Sequence, residues 1–439
     1  MIYNLNSHEV TVLEDVASVI WSHIPDRNPI NVSTIVSKLL PIYNIDKETL
    51  IEDVTEFCNS LFSEGLLFLD DEVKRMSNFK STRSDHSLAS LPENNDVERL
   101  ITNRLAKKNQ IFATMIEVTQ KCNEQCIHCY ATKDSNKLCT GELSKEEICS
   151  IIDQLADLGC LYLIFTGGEA FYRRDFLEIV KYARFKRFVV DIYTNGLLVN
   201  SSNIESICEQ MPRAVYLSIY SMNPVVHDSI TGIKGSHRKT IQAILLLREN
   251  QVPVAINVTV LSENSSDYRG ITEFAKSVGA TCRISYDISP RFDGNNEPLK
   301  YRINNKETIF ELLRFNSYTQ TQSASARFNP EKAVCAAGAA SLAISATGNV
   351  FPCITLRKSM GNVRVQEISD LWKYSKIRKD IANIKWRDLP TCVDCPHRDY
   401  CTPCMGISDL EHGDMYAGNQ GDCFNSQCKH EFSTALVKS

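Results

Sequence analysis

The sequence has no long hydrophobic run, no surplus of positive charge and no basic-then-apolar opening, and each absence removes a class of function. Its longest apolar stretches, such as Leu245-Leu246-Leu247, fall far short of the roughly 20 residues that cross a bilayer. The net charge of −5 and the pI of about 6.0 give no global attraction to nucleic acid or to an anionic membrane. Met1 to Val10 does not read as a secretion signal. The expectation is a cytoplasmic protein with no membrane and no nucleic-acid partner.

Against that ordinary background the cysteines stand out. There are 17 in 439 residues, in tight groups at 122–129 and 392–404 with further members at 335, 353 and 423. A reducing cytosol argues against a disulfide framework, and clustered cytosolic thiols point to metal. Thiolates are soft ligands, so zinc and iron–sulfur clusters are the two candidates. Six of the other seven cysteines (58, 139, 149, 160, 208 and 282) fall mostly on apolar faces and read as small core residues.

The chain's patterning predicts an α/β protein of several parts. In residues 1–69, Val16, Val19, Ile20 and Ile24 recur at helical spacing. A second helix follows Asn31, and a third carries Leu50, Val54, Phe57 and Leu61. The run Leu66-Leu67-Phe68-Leu69 reads as a strand, which completes a winged-helix-like module. Residues 70–110 form a polar linker, with a possible helix at 96–107. From Ile111, strand-like runs at 111–119, 160–166, 187–194, 214–220, 252–260 and 281–288 alternate with helical patterns. The first of these helices opens on a capping box, Ser144 with Glu147. Six such units predict a parallel sheet with right-handed crossovers, a partial (β/α)6 TIM barrel over 111–310. Residues 311–439 read as an irregular, separate domain stapled by metal.

The chemistry concentrates after the first barrel strand, in Cys122-Asn-Glu-Gln-Cys126-Ile-His-Cys129. Three cysteines at this spacing can hold three corners of a cubane [4Fe–4S] cluster and leave one iron open. A structural zinc site usually wants four ligands in two close pairs, and it stays as the alternative. Loops after barrel strands lie on the catalytic face. The second strand ends in Gly167-Gly168-Glu169, the third in Thr194-Asn195, and the fourth carries Ser218.

Cys-x3-Cys-x2-Cys followed by Gly-Gly-Glu resembles the radical S-adenosylmethionine (SAM) superfamily over about residues 111–290. That resemblance implies that SAM chelates the open iron and that Gly167, Gly168 and Glu169 hold its ammonium group. It places His128 where the family has an adenine-contacting aromatic. Thr194, Asn195, Ser218 and Asn257 become ribose, carboxylate or methionine contacts. One electron then cleaves SAM to methionine and a 5′-deoxyadenosyl radical, which takes a hydrogen from the substrate. An external donor such as flavodoxin or ferredoxin is implied.

Seven further cysteines (335, 353, 392, 395, 401, 404 and 423) resemble the SPASM domain of peptide-modifying radical SAM enzymes. The departure is the spacing of Cys401 and Cys404, with two residues between them where three are common. By resemblance, Cys392, Cys395, Cys401 and Cys423 bind an outer auxiliary cluster, and Cys335, Cys353 and Cys404 an inner one, giving three [4Fe–4S] clusters in all. A fourth inner ligand is missing, and Cys428 or Cys282 could be borrowed. A zinc-ribbon-like module is the alternative.

Residues 1–69 resemble the PqqD-like recognition element of peptide maturases, carried by Asp15–Trp21 and Glu52–Leu66. The third helix bears Asp46, Glu48, Glu52, Asp53 and Glu56 against only Lys47, which disfavours DNA and suits a leader peptide added at a sheet edge. The domain order is similar to that of the streptide-type Lys–Trp crosslinking enzymes and of subtilosin-type sactisynthases. It implies an oxidoreductase that crosslinks a ribosomally made precursor peptide, with the carbon–carbon crosslink ahead of the thioether. A sulfatase-maturing enzyme and a non-catalytic metal-stapled scaffold are the other readings. Asp287, at the end of the sixth strand, is the candidate general base.

Overall fold

The computed structural model of the chain describes residues 2–3, 10–11, 15–22, 24, 31–43, 46–63, 105–131, 141–315 and 328–438. It divides into two compact units, 1–92 and 93–439.

In the first unit, strands β1 (Ile2–Tyr3) and β2 (Val10–Thr11) pair antiparallel, a ribbon that the sequence pattern did not suggest. Helices α1 (Asp15–Ser22), α2 (Val32–Leu39) and α3 (Lys47–Ser63) follow. Asn31 caps α2 by accepting the Thr34 N–H at 2.9 Å, and Asp46 does the same for α3 with Thr49 at 2.8 Å. Ile20, Ile35, Val36, Leu39, Leu50, Val54 and Leu61 form the core, as their helical spacing predicts. The strand expected at 66–69 and most of the 70–110 linker lie outside the described residues.

The second unit is built on six parallel strands: β3 (Ala113–Glu117), β4 (Tyr162–Thr166), β5 (Val189–Thr194), β6 (Ala214–Ser218), β7 (Val254–Thr259) and β8 (Thr281–Ser285). They pair in sequence order, as alternating strands and helices with right-handed crossovers require. The intervening helices are α4 (Lys145–Asp157), α5 (Phe176–Phe185), α6 (Ile204–Glu209), α7 (Pro224–Thr231), α8 (Ser236–Glu249) and α9 (Tyr268–Ser277). The capping box at Ser144 and Glu147 is formed. Helix α7 is additional to the pattern read above. Pro224 at its first turn and the left-handed Gly232 at its end confine it to a short segment within one loop.

The C-terminal region is less separate than its composition suggests. After α10 (Lys306–Phe315), strand β9 (Ser341–Ile344) pairs parallel with β3, and β10 (Asn349–Phe351) and β11 (Gly361–Asn362) extend the same sheet. Leu342, Ile344, Val350, Met360, Leu371 and Trp372 therefore share the barrel's apolar core. Four helices complete the described chain: α11 (Ile368–Tyr374), α12 (Lys376–Ala382), α13 (Met405–His412) and α14 (Gln420–Lys438). Phe432 of α14 meets Phe310 of α10 with ring centroids 5.5 Å apart.

Candidate active site

The loop leaving β3 carries Cys122, Cys126 and Cys129 and is tied down from three sides. Gln125 and Ile127 donate their N–H groups to the carbonyls of Thr231 and Ile230 at 2.9 and 3.0 Å. Arg291, from the loop after β8, donates to the Cys129 carbonyl at 2.9 Å. Arg173 donates to the Val118 carbonyl at 3.0 Å. Burial pushes the Cys122 thiol up to about 12 and the Cys126 thiol well above its usual range. Buried thiols of this kind ionise only beside strong positive charge, which an iron cluster supplies. The donor set fits a thiolate-bound cluster.

The Gly-Gly-Glu turn closes directly on this loop. A Cβ on Gly168 would stand 2.2 Å from the Lys121 carbonyl oxygen, and one on Gly167 would stand 2.3 Å from that of Thr119. Gly168 donates its N–H to the Thr119 carbonyl at 2.8 Å, and Glu169 donates its own to the Lys121 carbonyl at 2.7 Å. The glycines thus permit a backbone-to-backbone seam between two loops, where the sequence suggested only approach to a ligand.

Glu169 is 1 % exposed. Its carboxylate accepts from Thr194 Oγ1 at 2.7 Å, Asn195 N at 2.7 Å and Phe171 N at 3.0 Å. Burial raises its pKa while these donors pull the other way. About one of a carboxylate's roughly four acceptor positions stays available to a further donor such as an ammonium group. Asn195 reaches across to Asn123 of the cysteine loop at 2.6 Å. His128 lies edge-on to Tyr220 with centroids 4.8 Å apart, and burial holds its pKa down to about 4, so the ring is neutral. Its buried Nδ1 has no hydrogen-bond partner among the described residues, an unmet polar atom beside the cysteine loop. Ser218 stands opposite Asn257 on the adjoining strand. Thr194, Ser218 and Asn257 thus share the sheet's C-terminal side with the cysteine loop and Glu169.

Asp287 is exposed just past β8. It accepts from Asn425 Nδ2 of α14 at 3.3 Å and lines a cavity of about 320 Å³ together with Asp422 and Phe424. Nothing in the local sequence signalled the contribution of Asn425.

Cys392, Cys395, Cys401 and Cys423 line a single cavity of about 310 Å³. Its wall at Gly418 is close: a Cβ there would stand 3.1 Å from Cys423 Sγ and 3.7 Å from Cys392 Sγ. Cys353 lies near enough to both Cys335 and Cys404 to raise their pKa values beyond what burial does. Asp422 accepts from the Cys404 N–H at 2.7 Å. Cys428 belongs to the barrel's apolar core, and Cys282 packs against it. Of the remaining thiols, Cys58 packs on the first unit's core and Cys160 is buried in the barrel, while Cys139 lies outside the described residues.

Three family models match the chain: the radical SAM superfamily over residues 116–275, the SPASM iron–sulfur cluster-binding domain over 335–396 and coenzyme PQQ synthesis protein D over 1–67. Residues 116–275 therefore carry a radical SAM domain. This radical SAM protein is an enzyme that uses S-adenosylmethionine and [4Fe–4S] chemistry. Among curated proteins it is similar to an AdoMet-dependent heme synthase of Methanosarcina barkeri, at 27% identity over 68% of this chain and 92% of that one. It is also similar to the subtilosin biosynthesis protein AlbA of Bacillus subtilis, at 27% identity over 66% of each. Among solved structures, Streptococcus suis SuiB bound to its precursor peptide SuiA aligns with a TM-score of 0.58, at 16% identity, over 85% of this chain and 89% of that chain. Among the described residues no helix is long and apolar enough to cross a membrane.

Proposed function

We propose that this radical SAM enzyme installs an intramolecular carbon–carbon crosslink of the Lys–Trp type in a ribosomally synthesised precursor peptide. The observation that carries the reading is the presence, on one chain, of a PqqD-type module, a radical SAM barrel and a four-cysteine cavity downstream. The likeness in fold to a maturase solved with its precursor peptide supports it. The similarity to AlbA favours a second reading, a sactisynthase that forms cysteine thioethers.

Cys122, Cys126 and Cys129 hold the cluster that binds SAM. When bound, that pair supplies a 5′-deoxyadenosyl radical able to take a hydrogen atom from the peptide. Glu169 accepts the ammonium group of SAM, and Thr194 and Asn195 keep its carboxylate aimed. His128, Ser218 and Asn257 bound the space for adenine and ribose. Cys392, Cys395, Cys401 and Cys423 hold the outer auxiliary cluster, and Cys335, Cys353 and Cys404 the inner one, which makes three. Either crosslink removes two protons and two electrons from the peptide; one hydrogen atom taken by the radical accounts for one of each. Asp287 would take the remaining proton, and an auxiliary cluster held by these cysteines would supply an acceptor for the remaining electron. The leader of the precursor binds the N-terminal module, and an external one-electron donor reduces the enzyme.

Anaerobic coexpression with the precursor, followed by mass spectrometry, tests this reading. The expected product is lighter by two hydrogens and keeps every cysteine thiol open to alkylation. Consumption of a thiol supports the sactisynthase instead. A precursor of unchanged mass, with enzyme competent to cleave SAM, overturns both.

A further inference from the structure

Helix α8 opens with Ser236-His237-Arg238-Lys239, preceded by Lys234, and has no acidic residue in its first turn. Positive charge at a helix N-terminus opposes the helix dipole, so local stability does not account for it. The nearby carboxylate, Asp228, is occupied: it accepts from Gly235 N, His237 N and Ser236 Oγ at 2.5, 2.9 and 3.0 Å. Lys234, Arg238 and Lys239 are exposed and have no ion-pair partner among the described residues. Three exposed cations against the single carboxylate of Asp228, on a chain of net charge −5, are a distinct surface feature.

This basic patch is continuous with the cysteine loop. Ile230 and Thr231, which accept the Ile127 and Gln125 N–H groups, lie a few residues before Lys234. A Cβ on Gly232 would come within 3.3 Å of the Gln125 carbonyl oxygen. Packed rings also lead inward. His237 contacts His227 at 5.4 Å between centroids, His227 contacts Tyr220 at 5.5 Å, and Tyr220 contacts His128 at 4.8 Å. His128 sits between Cys126 and Cys129 in the chain. The basic surface and the loop are thus joined both by backbone hydrogen bonds and by ring contacts.

We propose that Lys234, Arg238 and Lys239 form the docking surface for an acidic one-electron carrier protein that reduces the cluster on Cys122, Cys126 and Cys129. The inference rests on placing that cluster on those three cysteines. One electron leaves the carrier's reduced flavin or iron–sulfur centre and enters the cluster; no bond is made or broken and no atom is transferred. Opposite charges at the rim of such an encounter speed association and make it depend on salt.

The test is charge reversal in the holoenzyme, K234E/R238E/K239E. The reversal at Arg238 and Lys239 suits the helix dipole, so the fold is retained. Lys373→Glu/Lys379→Glu, on another exposed stretch, is the control. Flavodoxin is the probe, read out by its binding affinity at low and high salt and by 5′-deoxyadenosine formation driven by reduced flavodoxin or by dithionite. The expected result is flavodoxin binding weakened by at least roughly tenfold and stripped of its salt dependence. The flavodoxin-driven rate falls in parallel, while the dithionite-driven rate is unchanged. Unaltered flavodoxin binding in the triple variant overturns the proposal, as does an equal loss with dithionite, which places the effect on the cluster. Absence of 5′-deoxyadenosine from the wild-type enzyme with dithionite defeats the cluster assignment itself, and the binding measurement separates that failure from failure of the docking surface.

Discussion

Arg357 clamps Glu117: its two terminal nitrogens lie 3.0 and 2.9 Å from the two carboxylate oxygens. Glu117 ends β3, just ahead of the cysteine loop, and Arg357 follows β10, so the pair fastens the C-terminal region to the barrel. The guanidinium also lies 4.1 Å from the Phe292 ring centroid and 4.6 Å from that of Phe351. Breaking a largely buried pair leaves one charge uncompensated. Arg357→Ala is expected to destabilise the holoenzyme by about 3 kcal/mol. The double variant Glu117→Gln/Arg357→Met should lose less, because it leaves no orphaned carboxylate. Thermal denaturation decides, and equal losses in the two variants would show that lost packing, not the charge, is what matters.

The seam between the two catalytic loops gives a second prediction. Gly168→Ala drives a methyl group against the Lys121 carbonyl, 2.2 Å away, where only backbone could yield. The loop must then open, and the variant should lose about four irons per chain, those of one cubane cluster. Iron analysis with electron paramagnetic resonance checks this. A variant with wild-type iron content and SAM cleavage would refute it.

The cavity lined by Cys392, Cys395, Cys401 and Cys423 can be probed without touching the barrel. Gly418→Ala places a methyl group 3.1 Å from Cys423 Sγ and 3.7 Å from Cys392 Sγ. This variant is expected to keep SAM cleavage and to lose peptide crosslinking together with about four irons. Loss of SAM cleavage as well would mean that the two cluster regions fold as one.

His227 predicts a pH dependence of stability. Burial, with His237 adding to it and Asp228 opposing, lowers its pKa to about 4, while its Nδ1 accepts the Tyr220 N–H at 3.3 Å. The folded state therefore holds it neutral. Below the unfolded value of about 6.5, the unfolded chain takes up a proton that the folded chain refuses. The stability associated with this group is complete above pH 6.5 and declines as pH falls toward 4, by about 3 kcal/mol in total. His227→Asn should flatten the fall in Tm between pH 7 and 5; an identical slope would show that His227 is not the titrating group.

Much of this was readable in one dimension. The alternation of strand and helix from Ile111, the capping box at Ser144 and the helical spacing of Ile20, Ile35 and Val54 all formed as read, because each is a local pattern with a local cause. The Cys122–Cys129 triplet and Gly167-Gly168-Glu169 marked the two loops that meet. The purpose of the glycines was not readable, since it depends on Lys121 and Thr119 arriving from another strand. Arg291 and Arg357 carried no motif, and each acts on a partner far away in the chain. The short run Ser341–Ile344 looked like part of an irregular region because its pairing partner, β3, lies far upstream.

The amino-acid sequence alone determined the chemistry: which thiols cluster, which carboxylate and glycines follow them, and a parallel barrel to carry them. Those follow from spacing along the chain, which short-range geometry converts directly into loops and faces. Tertiary structure decided how the parts join. It set the closure of one loop on another, the addition of the C-terminal strands to the barrel's sheet, and the adjacency of a basic helix end to the cysteine loop. Such contacts depend on long-range packing and on hydrogen bonds between distant segments, and no local period encodes them.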